Sequence, residues 1–144
     1  MKQQLLLVLL FVTLHTSAQT SEIFAPDSIA LRGYDVVAFY TEGKAITGSD
    51  KFMYSWKNVK WFFASANHLA LFKADPAKYE PQYGGYCAYG LARGYKAPTV
   101  ADTWYVLDGK LYFNYNQKVK AIWQKEKERY IDSANRKWPQ IRLN

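Results

Sequence analysis

Cysteine is almost absent from this sequence: Cys87 stands alone among 144 residues. No intrachain disulfide can form, so in an oxidising compartment the fold must be held by its packed side chains alone. Histidine is nearly as scarce, with only His15 and His68. A structural zinc site normally takes four cysteine or histidine ligands, which this chain cannot supply without carboxylates. Phosphate-binding loops, nucleophile elbows and dinucleotide fingerprints are also missing. Asp35, Asp75 and Asp102 show no spacing that demands a carboxylate pair. Beyond the first twenty residues no run is long and apolar enough to cross a bilayer as a helix.

What is present begins with an export signal. Lys2 precedes the apolar run Leu5-Leu-Leu-Val-Leu-Leu-Phe-Val12, and Thr16-Ser17-Ala18 follows with small residues. The run is about half the ~20 residues of a spanning helix, which predicts a cleavable signal peptide over 1–18, cut before Gln19. The expected location is secreted or periplasmic, with no transmembrane segment left after cleavage. His15 leaves with the signal, so His68 becomes the one histidine of the mature chain.

The formal charge is +7. Much of it lies in Lys118, Lys120, Lys125, Lys127, Arg129, Arg136, Lys137 and Arg142, interspersed with Glu126, Glu128 and Asp132. That mixture reads as a solvated helix face, with contact to an anionic surface as the alternative. Nucleic acid is not an expected partner of an exported chain. Aromatic residues make up 17%, and each supplies a large apolar area to a core that has no covalent staple.

Two strand–strand–helix units follow a polar lead over 19–31, within a domain over 32–144. In the first, Phe52–Trp56 and Val59–Phe63 flank a Lys57-Asn58 turn. Ser65 then caps a helix over Asn67–Lys73 that ends at Asp75-Pro76. In the second, Trp104–Leu107 and Lys110–Tyr115 flank Asp108-Gly109, a strong two-residue hairpin signal. Asn116 caps a helix running to about Lys137, with Pro139 marking its end. The units align 51 residues apart: Tyr54 with Tyr105, Asn58 with Gly109, Trp61-Phe62 with Tyr112-Phe113, Ser65 with Asn116. Duplication and chance similarity of two common patterns both account for this. The fold class is α+β in either case, with antiparallel hairpins and helices on one face.

Between the units runs Tyr83-Gly-Gly-Tyr-Cys-Ala-Tyr-Gly90. The paired glycines allow positive φ or a close backbone approach. Tyr83, Gly84, Gly85, Tyr86 and Tyr89 are therefore candidates to line a small binding pocket. Cys87 is either a small buried hydrophobe or a functional thiol: a metal thiolate, a redox centre or an intermolecular bridge. His68 is either a solvent-facing helix residue or a ligand. Asp35, set among apolar neighbours in Arg32-Gly-Tyr-Asp-Val-Val-Ala-Phe-Tyr40, needs hydrogen-bonding partners if buried. Copper(I) favours thiolate and imidazole, so Cys87 and His68 with one further donor would suffice if they meet in space.

Tyr54, Asn58-Val-Lys-Trp-Phe-Phe-Ala-Ser65 and Phe72-Lys-Ala-Asp-Pro-Ala-Lys-Tyr79 together resemble the core of YHS domains. Gly33-Tyr-Asp-Val-Val-Ala38 and Tyr83-Gly-Gly-Tyr-Cys-Ala88 are similar to the exported, stand-alone branch of that family. The resemblance spans about Arg32 to Trp138. It implies a treble-clef-like core related to small metal-binding domains. Metal-binding members carry cysteines where this chain has Ala64 and His68, so one ligand position is abolished and the other has become imidazole. The function expected on this basis is binding or passing of a transition ion, copper first, without catalysis. Cys87 would be the thiolate, His68 a second ligand, and Asp35 or a tyrosine an auxiliary donor. The alternative is a non-metal module that meets an envelope protein through the glycine–tyrosine segment, with Cys87 structural.

Overall fold

The computed structural model describes residues 21–144; the expected signal peptide over 1–18 lies outside the described residues. The domain is α+β, built on two small antiparallel hairpins. In the first, β1 (Ser49–Trp56) pairs with β2 (Val59–Phe63), and in the second β3 (Tyr105–Leu107) pairs with β4 (Lys110–Tyr112). Tyr54 faces Trp61 and Trp56 faces Val59; in the second hairpin Tyr105 faces Tyr112 and Leu107 faces Lys110. The registers superpose at the 51-residue offset seen in the sequence. Both turns hold two consecutive residues at positive φ, Lys57 and Asn58 at 50° and 61°, Asp108 and Gly109 at 50° and 71°. That is the primed geometry whose twist matches the flanking strands.

The helices repeat as well. Ser65 accepts the His68 backbone N–H to start α2 (Ala66–Ala74), and Asn116 accepts that of Val119 to start α5 (Gln117–Lys125). Asp75 ends α2 and, by accepting the Lys78 N–H, caps α3 (Pro76–Tyr79). Glu126 stands at the same place after α5, so the single helix expected over 116–137 is broken there. Its backbone, φ −139° and ψ 39°, leaves the helical region before α6 (Lys127–Ile141) begins. The break turns α6 onto α4 (Ala88–Arg93), where Ser133 Oγ and Lys137 Nζ both donate to the Ala92 carbonyl. Pro139 lies inside the last turn of α6 rather than ending it.

The second strand of the second unit also stops earlier than its sequence suggests. Beyond Tyr112 the backbone leaves the hairpin: Phe113 O accepts the Ala88 N–H, and Asn114 exchanges bonds with the Thr103 hydroxyl. The repeat reaches upstream of the hairpins too. Short 3-10 turns over Ala30–Gly33 and Gln82–Gly85 each hold three successive residues at positive φ. Each is followed by a tyrosine, then by Asp35 or Cys87, then by a short helix, α1 (Ala38–Thr41) or α4.

Two aromatic clusters form the core. Phe72, fully buried, stands 5.0 Å from Trp61 and 5.1 Å from Phe63 between ring centroids. Trp123 packs on Tyr112 at 5.5 Å, beside Leu91 and Ala134. An edge-to-face contact between Phe39 and Phe113, 5.2 Å between centroids, joins the halves. The lead over 19–31, expected ahead of the domain, is built into it where described. Ile23 and Phe24 are buried, and Phe24 N–H donates to the Gly84 carbonyl.

Candidate functional site

Asp35 is fully buried, and every lone-pair direction of its carboxylate is used. Oδ1 accepts the backbone N–H of Val37 at 2.9 Å and of Ala38 at 3.3 Å, which starts α1. Oδ2 accepts the Ala64 N–H at 2.8 Å and the His68 Nδ1–H at 2.6 Å. Ala64 is the first residue past β2, and His68 lies in the first turn of α2. One side chain thus ties α1, the hairpin and α2 together, supplying the partners a buried carboxylate needs.

His68 is 7% exposed rather than facing solvent. With its Nδ1–H donating to Asp35, Nε2 is the ring nitrogen left to other partners, a lone pair in the neutral ring and an N–H in the charged one. Nε2 lies 3.3 Å from Thr41 Oγ1 and 3.4 Å from Glu42 Oε1, both at the end of α1. The Thr41 hydroxyl can also donate to the Val37 carbonyl, 3.2 Å away. The Glu42 side chain is 45% exposed, so this edge of the ring opens toward water. A lone pair and a carboxylate oxygen at that separation repel unless a proton or a cation sits between them. Neither Thr41 nor Glu42 carries a sequence signal pointing to His68. Only the close of α1 over the start of α2 brings them together.

Cys87 stands elsewhere. It is 2% exposed and caps α4, its Sγ accepting the Gly90 N–H at 3.4 Å. Asn114 Oδ1 lies 3.7 Å from the sulfur. Burial pushes the thiol pKa above its ordinary value, against a smaller pull from the N–H groups of Gly90, Tyr115 and Tyr89. Such a thiol keeps its proton at neutral pH and is a poor ligand and nucleophile. The expected set Cys87, His68 and Asp35 is therefore not one constellation: among the described residues no group of three or more His, Cys, Asp or Glu side chains could hold a metal. Asp35 orients His68, and Cys87 belongs to the other repeat.

The glycine–tyrosine segment is turned largely inward. Gly84, at φ +62°, lies so close to the lead that a Cβ would stand 1.8 Å from the Glu22 carbonyl oxygen. Gly85 O accepts the Thr99 hydroxyl at 2.7 Å. Tyr83 is buried, its hydroxyl donating to Asn135 Oδ1 at 2.9 Å, and its pKa is driven up by burial. Tyr86 donates to the Ser21 carbonyl, and Tyr89 packs edge-on against Tyr130 at 5.2 Å. Of the five candidates, Tyr83 and Gly84 do line a cleft of about 180 Å³, shared with Lys57, Asn135 and Trp138. The Lys57 ammonium there is already held by Glu22 and Glu80 at 3.2 and 2.9 Å.

No family model, curated protein or solved structure matches this chain, so what its site can do is argued from its own geometry.

Proposed function

We propose that the chain is an exported, non-catalytic metal-handling domain, related to YHS domains, that takes a divalent transition ion, copper first, on Nε2 of His68. The observation that carries this is the 2.6 Å bond from His68 Nδ1 to the buried Asp35 carboxylate. A carboxylate behind a histidine fixes the ring tautomer and raises the basicity of the outer nitrogen, the arrangement that usually supports a metal-bound imidazole. Glu42 then supplies a hard oxygen donor 3.4 Å from that nitrogen. Imidazole with carboxylate suits copper(II), nickel and zinc, and copper(II) stands first in the usual order of affinity. That shifts the expected ion from copper(I), because the protonated Cys87 thiol is not available to it. Two protein donors leave several coordination positions open, which suits an ion that is passed on rather than locked in.

Titration of the purified protein with copper(II) against a glycine competitor tests the proposal. One equivalent should be retained, with nitrogen hyperfine splitting from a single imidazole in the paramagnetic resonance spectrum. His68→Ala should abolish retention, Glu42→Gln should weaken it by about tenfold, and Cys87→Ser should leave it intact. Retention no better than that of a background protein, or retention that survives His68→Ala, overturns it.

A further inference from the structure

A groove of about 400 Å³ lies between the two repeats, walled by Arg32 of the first and by Pro98, Thr99, Val100, Tyr115 and Asn116 of the second. Its volume is in the range of roughly 300–1,000 Å³ typical of small-molecule sites. Arg32 is the one charged side chain lining it, and it forms no ion pair among the described residues. Its guanidinium lies over the Phe24 ring instead, with the ring centroid 5.2 Å from the guanidinium carbon. The arginine is also set in an unfavourable backbone. Its φ is +57°, where the equivalent place in the second repeat is taken by Gly84 at +62°. A side chain kept in a conformation that its counterpart meets with glycine points to a use for that side chain.

The opposite wall is apolar and open to water. Val100 is 41% and Tyr115 49% exposed, two of the few large hydrophobic residues left uncovered in the domain. Thr99 has spent its hydroxyl on Gly85, and Pro98 has no N–H, so neither competes for a polar ligand. Asn116 uses Oδ1 as the cap of α5, which leaves its side-chain N–H groups to donate. One guanidinium and one amide donor face an apolar wall. A monoanion with a planar oxygen pair fits a single guanidinium through two parallel bonds, whereas a doubly charged phosphate would want more cations.

We propose that this groove binds the carboxylate of an apolar acid, with the guanidinium of Arg32 on the carboxylate and Val100 and Tyr115 on the apolar body. The acid is either a free small molecule or the end of a polypeptide chain. The site shares no residue with the His68 site, so either proposal can fail without the other.

Calorimetric or NMR titration with N-acetyl-phenylalanine, its amide, a pentapeptide ending in phenylalanine with free or amidated terminus, and acetate is the test. The free acids should saturate at sub-millimolar concentration, and the amides and acetate should bind at least about tenfold more weakly. Tighter binding of the peptide acid than of the single amino acid assigns the ligand to a chain end; equal binding assigns it to a free acid. Arg32→Gly should lose at least about tenfold in affinity, with a melting temperature equal to or above that of the parent, because glycine suits the positive φ. Tyr115→Ser, on the other wall, should weaken the acids without changing the acid-to-amide ratio. Acids and amides that bind alike, an Arg32→Gly variant that binds like the parent, or no saturation by any probe would each overturn the proposal.

Discussion

Asp35 and Cys87 occupy one position of a repeated structure. Each follows a glycine–tyrosine pair, each accepts the backbone N–H three residues ahead, and each is acted on by the N–H of the residue just before the cap of the next helix. In the first repeat that residue is Ala64, and in the second it is Tyr115. The partners across from them differ. His68 faces Asp35, whereas the residue 51 positions further along the chain is Val119, which has no ring nitrogen. The same cradle thus holds a carboxylate–imidazole pair in one half and a thiol in the other, and only the first half offers an outward-facing ring nitrogen.

Replacing Asp35 with asparagine should be costly in two separable ways. An amide cannot accept from Val37, Ala38, Ala64 and His68 at once, so the variant should lose about 3 kcal/mol in denaturant unfolding. Among molecules still folded, copper(II) affinity should fall by roughly 10- to 100-fold as the ring loses its support. Unchanged affinity in the folded variant would remove Asp35 from the site.

Cys87 should make the fold sensitive to alkali. Burial raises its pKa, so the folded protein keeps a proton that the unfolded thiol loses near its ordinary value of 9.0. The folded state then binds more protons, and its stability is full below that value and falls as pH rises above it. Cys87→Ser, which can still accept the Gly90 N–H, should flatten that decline between the thiol range and the onset of tyrosine ionisation; Tyr40 is pushed up to about 12. Denaturant midpoints measured from pH 7 to pH 11 on both proteins decide the point, and parallel curves would count against it.

Phe72 joins β1, β2 and α2 through four ring neighbours, Tyr54, Trp56, Trp61 and Phe63, with Trp56 at 5.6 Å. Phe72→Ala should destabilise the domain by about 3–5 kcal/mol, since the surrounding rings can collapse only in part. A loss under about 1 kcal/mol would mean that the aromatic cluster is not the main support of the first repeat.

The glycine–tyrosine segment should respond to backbone bulk more than to loss of side chains. Gly84→Ala places a methyl group against the Glu22 carbonyl and strains a positive φ, so a loss of about 4 kcal/mol or failure to fold is expected. Asn58→Gly, at the turn position of the first hairpin that Gly109 holds in the second, should be neutral or raise stability by up to about 1 kcal/mol. Thermal melts of the pair give opposite signs if the positive-φ argument is right.

Local chemistry made much of this fold legible. The Asp108-Gly109 and Lys57-Asn58 turns, the Ser65 and Asn116 caps and the Asp75-Pro76 stop depend on neighbours within a few residues, and they appear where the sequence puts them. The length of the last helix was not legible, because the break at Glu126 serves the docking of α6 on α4, a contact made 41 residues away in the chain by Ser133 and Ala92.

The candidate site divides the same way. The sequence by itself determined that no cysteine-rich metal centre or intrachain disulfide could form, that the chain is α+β, and that a buried Asp35 would need several donors. Only the tertiary structure decided that His68 turns inward to become one of those donors, that Glu42 and Thr41 meet its outer nitrogen, and that Cys87 spends its sulfur on a helix cap. Composition and spacing fix which groups exist and which local turns they make. Whether a side chain meets water, a carboxylate or a backbone N–H depends on which face its helix buries, and that is set by contacts between segments distant in sequence.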